Sequence, residues 1–351
     1  MKTNLLTFRE AIHLSLEKIL NDQENSIIIG QGVNDPTRIF GTTANFLEKF
    51  GPDRLIDMPI SEEGMTGFAV GASLGGLYPI QTHIRMDFLI VAMNQLVNTI
   101  AKYKYMYGGM FEIPMLIRVI VGRSWGQGPQ HSQSLQSIFA HIPGLQVFMP
   151  ATASDVIHGY NFIAKNYKGP VISVEHRLLY DFSFVSEKNE QNSFSSYVIK
   201  PGEDVTIVAS SIMVEESIIA SKWLEENLDI NIEIINILNI TNIDYQVIYS
   251  SLKKTKNLII ADTGWIKFGL GPEIIREVIE SEQVKLSSSP IALGMAFSPC
   301  PTSHALEDYF YPSMRDIVKA VIKQIHGDQK IQVLPSLEFC KHLTKKFKGP
   351  F

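Results

Sequence analysis

A repeated alternation of short β-branched runs with longer segments of helical periodicity most constrains the fold of this 351-residue chain. In the first half, apolar runs predict strands at 26–30, 54–58, 115–121, 145–149 and 171–175. Residues with helical spacing lie around them, at 7–21, 43–50, 65–77, 88–107 and 134–140. Strands that alternate with helices run parallel in one sheet, so this half predicts a parallel α/β domain.

The second half repeats the alternation after a polar stretch rich in Ser, Asn, Glu and Lys, which is typical of a linker. Its predicted strands lie at 204–209, 232–238, 257–262 and 291–297, and a helix follows each one. The sequence therefore predicts two consecutive parallel-sheet α/β domains. Their predicted bounds are 1–185 and 201–325, with a linker at 186–200 and a tail at 326–351.

Composition excludes several classes of protein. The formal net charge is −5 and the charges are spread along the chain, unlike the basic patch of a nucleic-acid-binding protein. Cys300 and Cys340 have neither the number of a disulfide framework nor metal-ligand spacing. Thr7 and Glu10 have the spacing of a capping box where a signal sequence would stand, and no apolar run is long enough to span a bilayer. We expect a soluble, cytoplasmic protein that binds neither nucleic acid nor membranes.

Two adjacent acids, Glu62 and Glu63, directly follow the strand predicted at 54–58. Ligands of open parallel sheets bind beyond the carboxyl ends of the strands, so a carboxyl at this position is suited to proton transfer. Acids in the first turn of a helix also complement the helix dipole without any catalytic role. Spacing alone leaves both interpretations open.

A glycine-rich loop, GRSWGQGPQHSQ at 122–133, follows the strand predicted at 115–121. Glycines allow close approach of the backbone to a ligand, and His131 is suited to proton transfer near neutral pH. A structural loop with a hydrogen-bonded histidine is the alternative. The loop lacks the Gly-Lys-Ser/Thr ending of a phosphate loop and the Gly-x-Gly-x-x-Gly pattern of a dinucleotide site.

Long ordered segments resemble the beta subunits of 2-oxo-acid dehydrogenase E1 components, within the transketolase-like superfamily. They include FGPDRLIDMPISEEGMTGFAVGASLGGLYPI, MNQLVNTIAKYKYMYGG, GPQHSQSLQSIFAHIPGLQVFMPAT and VISVEHRLLYD in the first half. DVTIVASS and KKTKNLIIADTGW continue the resemblance in the second half. The resemblance implies a pyrimidine-binding domain followed by a transketolase C-terminal domain.

The resemblance also implies thiamine diphosphate as cofactor and assigns three site residues. By position, the family's Ile-Ser/Thr-Glu motif selects Glu62, whose carboxyl would bind the aminopyrimidine ring and favour the tautomer that activates the cofactor. Phe88 falls where an aromatic side chain lies against that ring. His131 matches a histidine that lines the site and assists acyl transfer.

Partners and ions are implied in the same way. The family works as an alpha2beta2 heterotetramer with self-association of beta, and the alpha subunit holds the diphosphate and Mg²⁺. We therefore expect activity only with an alpha subunit, a small 2-oxo acid as substrate and a lipoyl-E2 protein as acceptor. Backbone carbonyls of a monovalent-cation site, K⁺ in the family, fall on the following residues: Met115, Ile163, Ala164 and Asn166.

Departures from the family pattern keep other functions open. Gln31 stands where the family has an acid, His83 and Arg85 replace more apolar residues before Phe88, and an inserted residue follows Ala164. The main hypothesis is oxidative decarboxylation with transfer to lipoyl-E2. A carboligase or transketolase-like enzyme, with an aldehyde or sugar as acceptor, is the alternative. A partner protein without turnover is a third hypothesis, which the retained site residues oppose.

Overall fold

The computed structural model describes residues 5–185, 194–327 and 333–340, which form two compact units. The first unit contains the described residues of Met1–Gly122 and His131–Phe194. The second contains those of Arg123–Gln130 and Ser195–Lys348. Most of the glycine-rich loop thus belongs to the second unit, although the sequence placed it in the first domain. Of the predicted linker, residues 186–193 lie outside the described part.

The first unit is built on a parallel sheet of six strands, in the order β3-β2-β4-β5-β7-β6. A separate antiparallel pair joins β1 to β8. The strands of the unit are β1 (Leu5–Thr7), β2 (Ser26–Gly30), β3 (Leu55–Asp57), β4 (Tyr78–His83), β5 (Met115–Val121), β6 (Gln146–Phe148), β7 (Pro170–His176) and β8 (Ser183–Val185). The four longest strands of the parallel sheet are buried along their whole length, as expected for a sheet covered by helices on both faces.

Six α-helices connect these strands. They are α1 (Phe8–Asp22), α2 (Phe46–Phe50), α3 (Glu62–Leu74), α4 (Ala101–Met106), α5 (Gln136–Ala140) and α6 (Ala153–Asn166). The capping box predicted at Thr7 and Glu10 is present at the start of α1, and a second one, formed by Thr152 and Asp155, begins α6. Helix α3 begins at Glu62, three residues before the helix predicted at 65–77. The helix predicted at 88–107 consists of a 3₁₀ segment, Met86–Ala92, a π-helical segment, Asn94–Ile100, and α4.

The second unit has a mixed sheet in the order β13-β12-β10-β11-β9. Its strands are β9 (Tyr197–Lys200), β10 (Val205–Ala209), β11 (Ile232–Asn236), β12 (Leu258–Trp265) and β13 (Ile291–Met295). Strand β9 pairs antiparallel with β11, and the other pairs are parallel. Residues 197–200 are therefore an edge strand of this sheet and not part of a linker. Two α/β domains are confirmed, although only the first sheet is wholly parallel.

The helices of the second unit are α7 (Ile212–Leu228), α8 (Tyr245–Thr255), α9 (Leu270–Glu280), α10 (His304–Phe310), α11 (Met314–His326) and α12 (Leu337–Cys340). Arg123, at the start of the glycine-rich loop, is fixed within this unit by an ion pair with Glu216 and by donating to the Pro312 carbonyl oxygen at 2.7 Å. None of the helices in the described ranges is both long and apolar enough to cross a bilayer.

A charged network lies in the core of the first unit. Arg118, in the middle of β5, donates to both carboxylate oxygens of Glu175 on β7, at 2.6 and 2.9 Å. The hydroxyls of Tyr160 and Tyr180 donate to the same carboxylate. Burial alone would lower the pKa of Arg118, but the Glu175 carboxylate raises it above its usual value. The guanidinium therefore stays charged inside the domain, where a paired and hydrogen-bonded carboxylate offsets the cost of burial.

Candidate active site

The residues predicted to act in catalysis follow strands that end at the same edge of the first sheet. Glu62 comes after β3, Phe88 after β4 and His131 after β5. Because β3, β2, β4 and β5 are parallel neighbours, their carboxyl ends share one edge. Ligands of open α/β sheets bind at that edge. The topology therefore places all three residues where a ligand site is expected.

Glu62 is the first residue of α3, and only 8% of it is exposed. Its backbone carbonyl accepts a hydrogen bond from Thr66 Oγ1 at 2.8 Å. Its side-chain carboxyl accepts no hydrogen bond from any residue in the described part of the chain. The residue is largely buried, but its carboxyl has no partner among the described residues, so this group is available to a ligand.

Glu63 has a different environment from its neighbour. Its Oε1 accepts hydrogen bonds from Asn94 Nδ2 and Gln95 Nε2, each at 3.0 Å. Both donors lie on the π-helical segment, so Glu63 ties α3 to that segment. Of the two adjacent acids, one holds two helices together and the other keeps its carboxyl free.

A chain of buried polar side chains supports the first turn of α3. Gln81 Nε2 donates to Thr66 Oγ1 at 2.7 Å and lies 2.8 Å from His83 Nε2. Burial lowers the pKa of His83 to about 4, so the ring is neutral at physiological pH. A neutral ring can accept from Gln81 through Nε2, which leaves its proton on Nδ1. The chain therefore links the end of β4 to the backbone of Glu62 through Thr66.

Phe88 and His131 are brought into direct contact. Their ring centroids are 5.1 Å apart, and the planes meet at 76°, an edge-to-face arrangement. Phe88 is 37% exposed and His131 is half-buried, so both rings remain accessible. Asp87, next to Phe88, accepts from the Gln133 backbone N–H at 3.1 Å and from Gln133 Nε2 at 2.9 Å. Burial raises the pKa of Asp87, and these two hydrogen bonds oppose that rise.

Comparisons with known proteins agree with this geometry. Residues 5–182 match the transketolase pyrimidine-binding domain, and residues 196–317 match the transketolase C-terminal domain. The mitochondrial pyruvate dehydrogenase E1 component subunit beta of Saccharomyces cerevisiae is 34% identical, over 91% of this chain and 88% of its own. The corresponding subunit of Rickettsia bellii is also 34% identical, over 91% of this chain and 98% of its own. The chain belongs to the E1 beta-subunit family.

A solved structure extends the likeness of this E1 beta family member beyond sequence. The inactive beta4 tetramer of a split-gene transketolase superposes with a TM-score of 0.72, covering 92% of this chain and 99% of that chain. Sequence identity is 24%, so this match supports the fold alone. The predicted family and fold class are confirmed by these comparisons.

The residues at the strand edge fit the thiamine cofactor that the E1 beta family implies. An aminopyrimidine ring offers a ring nitrogen to a carboxyl group and a flat face to an aromatic side chain. Glu62 supplies a carboxyl that has no partner among the described residues, and Phe88 supplies an accessible ring. In the described part of the chain, no three acidic, histidine or cysteine side chains form a metal-binding group.

The residues predicted for a monovalent cation lie at the opposite edge of the same sheet. Met115 begins β5, and Ile163, Ala164 and Asn166 form the last turn of α6, which leads into β7. The Ala164 carbonyl oxygen accepts a hydrogen bond from Gln23 Nε2 at 3.0 Å. The Ile163 carbonyl oxygen accepts from the Tyr167 backbone N–H at 3.2 Å. A cation there would compete with the Gln23 amide, so the site stays a prediction.

Sequence reasoning missed three features of the site. It did not single out Asp87, the tether from Glu63 to Asn94 and Gln95, or the polar chain behind Glu62. The position of Asp87 beside Phe88 could have drawn attention to it. Its hydrogen-bond partner Gln133 is 46 positions away in the sequence, so no local pattern reveals their contact. The spacing of Glu63 to Asn94 is 31 positions, which no local pattern reveals.

Proposed function

We propose that this chain is the beta subunit of a thiamine-diphosphate-dependent 2-oxo-acid dehydrogenase E1 component. It would decarboxylate a small 2-oxo acid and pass the acyl group to a lipoyl-E2 protein. The observation that carries this proposal is that the Glu62 carboxyl has no partner among the described residues and lies at the same sheet edge as the Phe88–His131 pair. The pyruvate dehydrogenase E1 beta subunits described above, which are about one third identical over nine-tenths of the chain, support the proposal.

Glu62 and Phe88 are the residues that would hold the aminopyrimidine. The Glu62 carboxyl would share a proton with a ring nitrogen, because no side chain in the described part of the chain competes for it. Phe88 would present its ring to the pyrimidine. When bound, thiamine diphosphate supplies the nucleophilic carbon and the electron sink for decarboxylation.

His131 would handle a proton during acyl transfer. Its ring centroid lies 5.1 Å from that of Phe88, so a pyrimidine ring packed against Phe88 would lie close to the imidazole. Imidazole exchanges protons near neutral pH and can protonate a departing sulfur or oxygen. Acyl transfer to the lipoyl group needs a proton donor of this kind, whereas decarboxylation does not.

The partners follow from the same proposal. An alpha subunit would hold the diphosphate and Mg²⁺, in an alpha2beta2 heterotetramer that also joins two beta chains. Activity would then require the alpha subunit, and the assembled enzyme would work in the cytoplasm. The proposal includes a K⁺ ion near Ala164, which would have to displace the Gln23 amide from the Ala164 carbonyl oxygen.

A carboligase or transketolase-like enzyme remains the second candidate. His83 and Arg85 precede Phe88, and both are buried polar residues. Arg85 also lies close enough to Asp87 for their charges to attract, so the region beside the site is more polar than an apolar acyl pocket. Such polarity suits a hydroxylated acceptor.

The test is reconstitution of this chain with a candidate E1 alpha subunit. The assembly receives several 2-oxo acids together with either lipoylated E2 or an aldehyde. We expect reduction of the lipoyl group with one of the 2-oxo acids and little ketol product. Ketol formation without lipoyl reduction would establish the carboligase instead. The Glu62→Gln assembly, which we expect to be strongly impaired, serves as the control for both products.

A further inference from the structure

The segment that carries Phe88 also holds the segment that carries His131. Asp87 Oδ1 accepts both the backbone N–H and the side-chain amide of Gln133, at 3.1 and 2.9 Å. One residue earlier, Met86 Sδ accepts from the Leu135 backbone N–H at 3.2 Å. The bonded residues are two and four positions after His131, so the chain is anchored directly after the histidine.

Asp87 is well placed to fix the position of the segment that carries His131. It is only 5% exposed, and its neighbour in the chain is the ring that His131 contacts. Two donors converge on a single carboxylate oxygen, which is a stronger acceptor than a neutral amide oxygen. The His131 charge also lowers the pKa of Asp87, while burial raises it by more. The two side chains therefore attract each other when both are charged.

We propose that Asp87 is the positioning residue for His131, and that it sets the distance and angle between His131 and Phe88 by clamping Gln133. This inference rests on the proposed function, because it assumes that His131 acts in acyl transfer. We assign Asp87 no part in the chemical step. Its effect passes through His131.

The kinetic test is a double-mutant cycle on the assembled enzyme. Decarboxylation is followed with an artificial electron acceptor, and acyl transfer with a lipoylated domain. We expect Asp87→Ala to lower the kcat of acyl transfer by about 10- to 100-fold, since misplacement by about 1 Å costs rates of that order. Decarboxylation and the KM for the 2-oxo acid should change by less than about threefold.

Two comparisons make the double-mutant cycle decisive. Asp87→Asn keeps an acceptor oxygen and should recover most of the acyl-transfer rate. Asp87→Ala combined with His131→Ala should be no slower than His131→Ala alone, because residues that act as a unit are not additive. Additive losses in the double variant, or equal losses in both half-reactions, would overturn the proposal.

Hydrogen exchange separates this proposal from the proposed function. The Gln133 amide should exchange about tenfold faster in Asp87→Ala than in the native assembly, because one hydrogen bond is lost. Asp204→Ala is the matched control. Asp204 accepts the Asn231 N–H at 2.6 Å on the amino-terminal side of β10, away from strand carboxyl ends, and its loss should leave Gln133 unchanged. This readout needs no turnover, so it tests the clamp even if no 2-oxo acid is decarboxylated. Unchanged exchange at Gln133 would refute the clamp.

Discussion

The buried pair of Arg118 and Glu175 allows a sharp prediction about stability. Both side chains are fully buried, and the structure describes no partner for Arg118 Nη1. Glu175→Gln keeps the shape of the side chain but removes the charge that neutralises the guanidinium. Breaking one half of a buried ion pair costs about 3–5 kcal/mol, because the other charge is left uncompensated. For a domain of this size, that loss lowers Tm by about 6–20 °C.

The assay is urea unfolding followed by circular dichroism, with a surface pair as the matched control. Lys49 and Glu17 form a salt bridge of 2.9 Å in the same unit, with side chains 46% and 30% exposed. Glu17→Gln should cost less than about 1 kcal/mol, because water solvates the remaining lysine. If Glu175→Gln costs no more than Glu17→Gln, the Arg118 charge is compensated by something other than Glu175, and the reasoning fails.

Two further predictions concern His83 and Gln23. The folded pKa of His83 is about 4, below its ordinary 6.5, so the unfolded chain binds the proton first as pH falls. Stability should be complete above pH 6.5 and should drop by about 2 kcal/mol by pH 5, a drop that His83→Phe removes in urea unfolding. Equal pH dependence in both proteins would contradict this. Gln23→Ala removes the amide that binds the Ala164 carbonyl oxygen and so frees this oxygen for a cation. When KCl replaces choline chloride, the Tm of this variant should therefore rise by more than the Tm of the native chain. Equal increases would show that the amide does not compete with a cation.

Local periodicity was enough to predict most of the elements that carry the fold. Strands β2, β5, β7 and β10 are mostly apolar and rich in Ile and Val, with only scattered polar residues such as Arg118 and Glu175, and buried parallel strands have a mainly apolar pattern. Strand β4 was missed because Gln81, Thr82 and His83 interrupt its apolar run. Those polar residues are tolerated in the core because Gln81 bonds to Thr66 and His83, partners that a strand pattern does not contain.

The site was predictable only in part, for a related reason. Sequence spacing left Glu62 and Glu63 equivalent, and the family motif chose between them. The structure adds a physical basis: the Asn94 and Gln95 amides engage Glu63, whereas the Glu62 carboxyl has no partner in the described residues. Which carboxyl is free depends on side chains about thirty positions away. Long-range partners of this kind cannot be read from local patterns.

The most direct test of the account is the rate of hydrogen–deuterium exchange at the thiazolium C2 of thiamine diphosphate bound to the assembled enzyme. Glu62→Gln should slow this exchange by about 10²- to 10⁴-fold, the contribution typical of one positioned acid–base group. Glu63→Gln, which alters only the tie to Asn94 and Gln95, should stay within about threefold of the native rate. Native exchange in Glu62→Gln, or an equal loss in both variants, would contradict the assignment of Glu62 as the activating carboxyl.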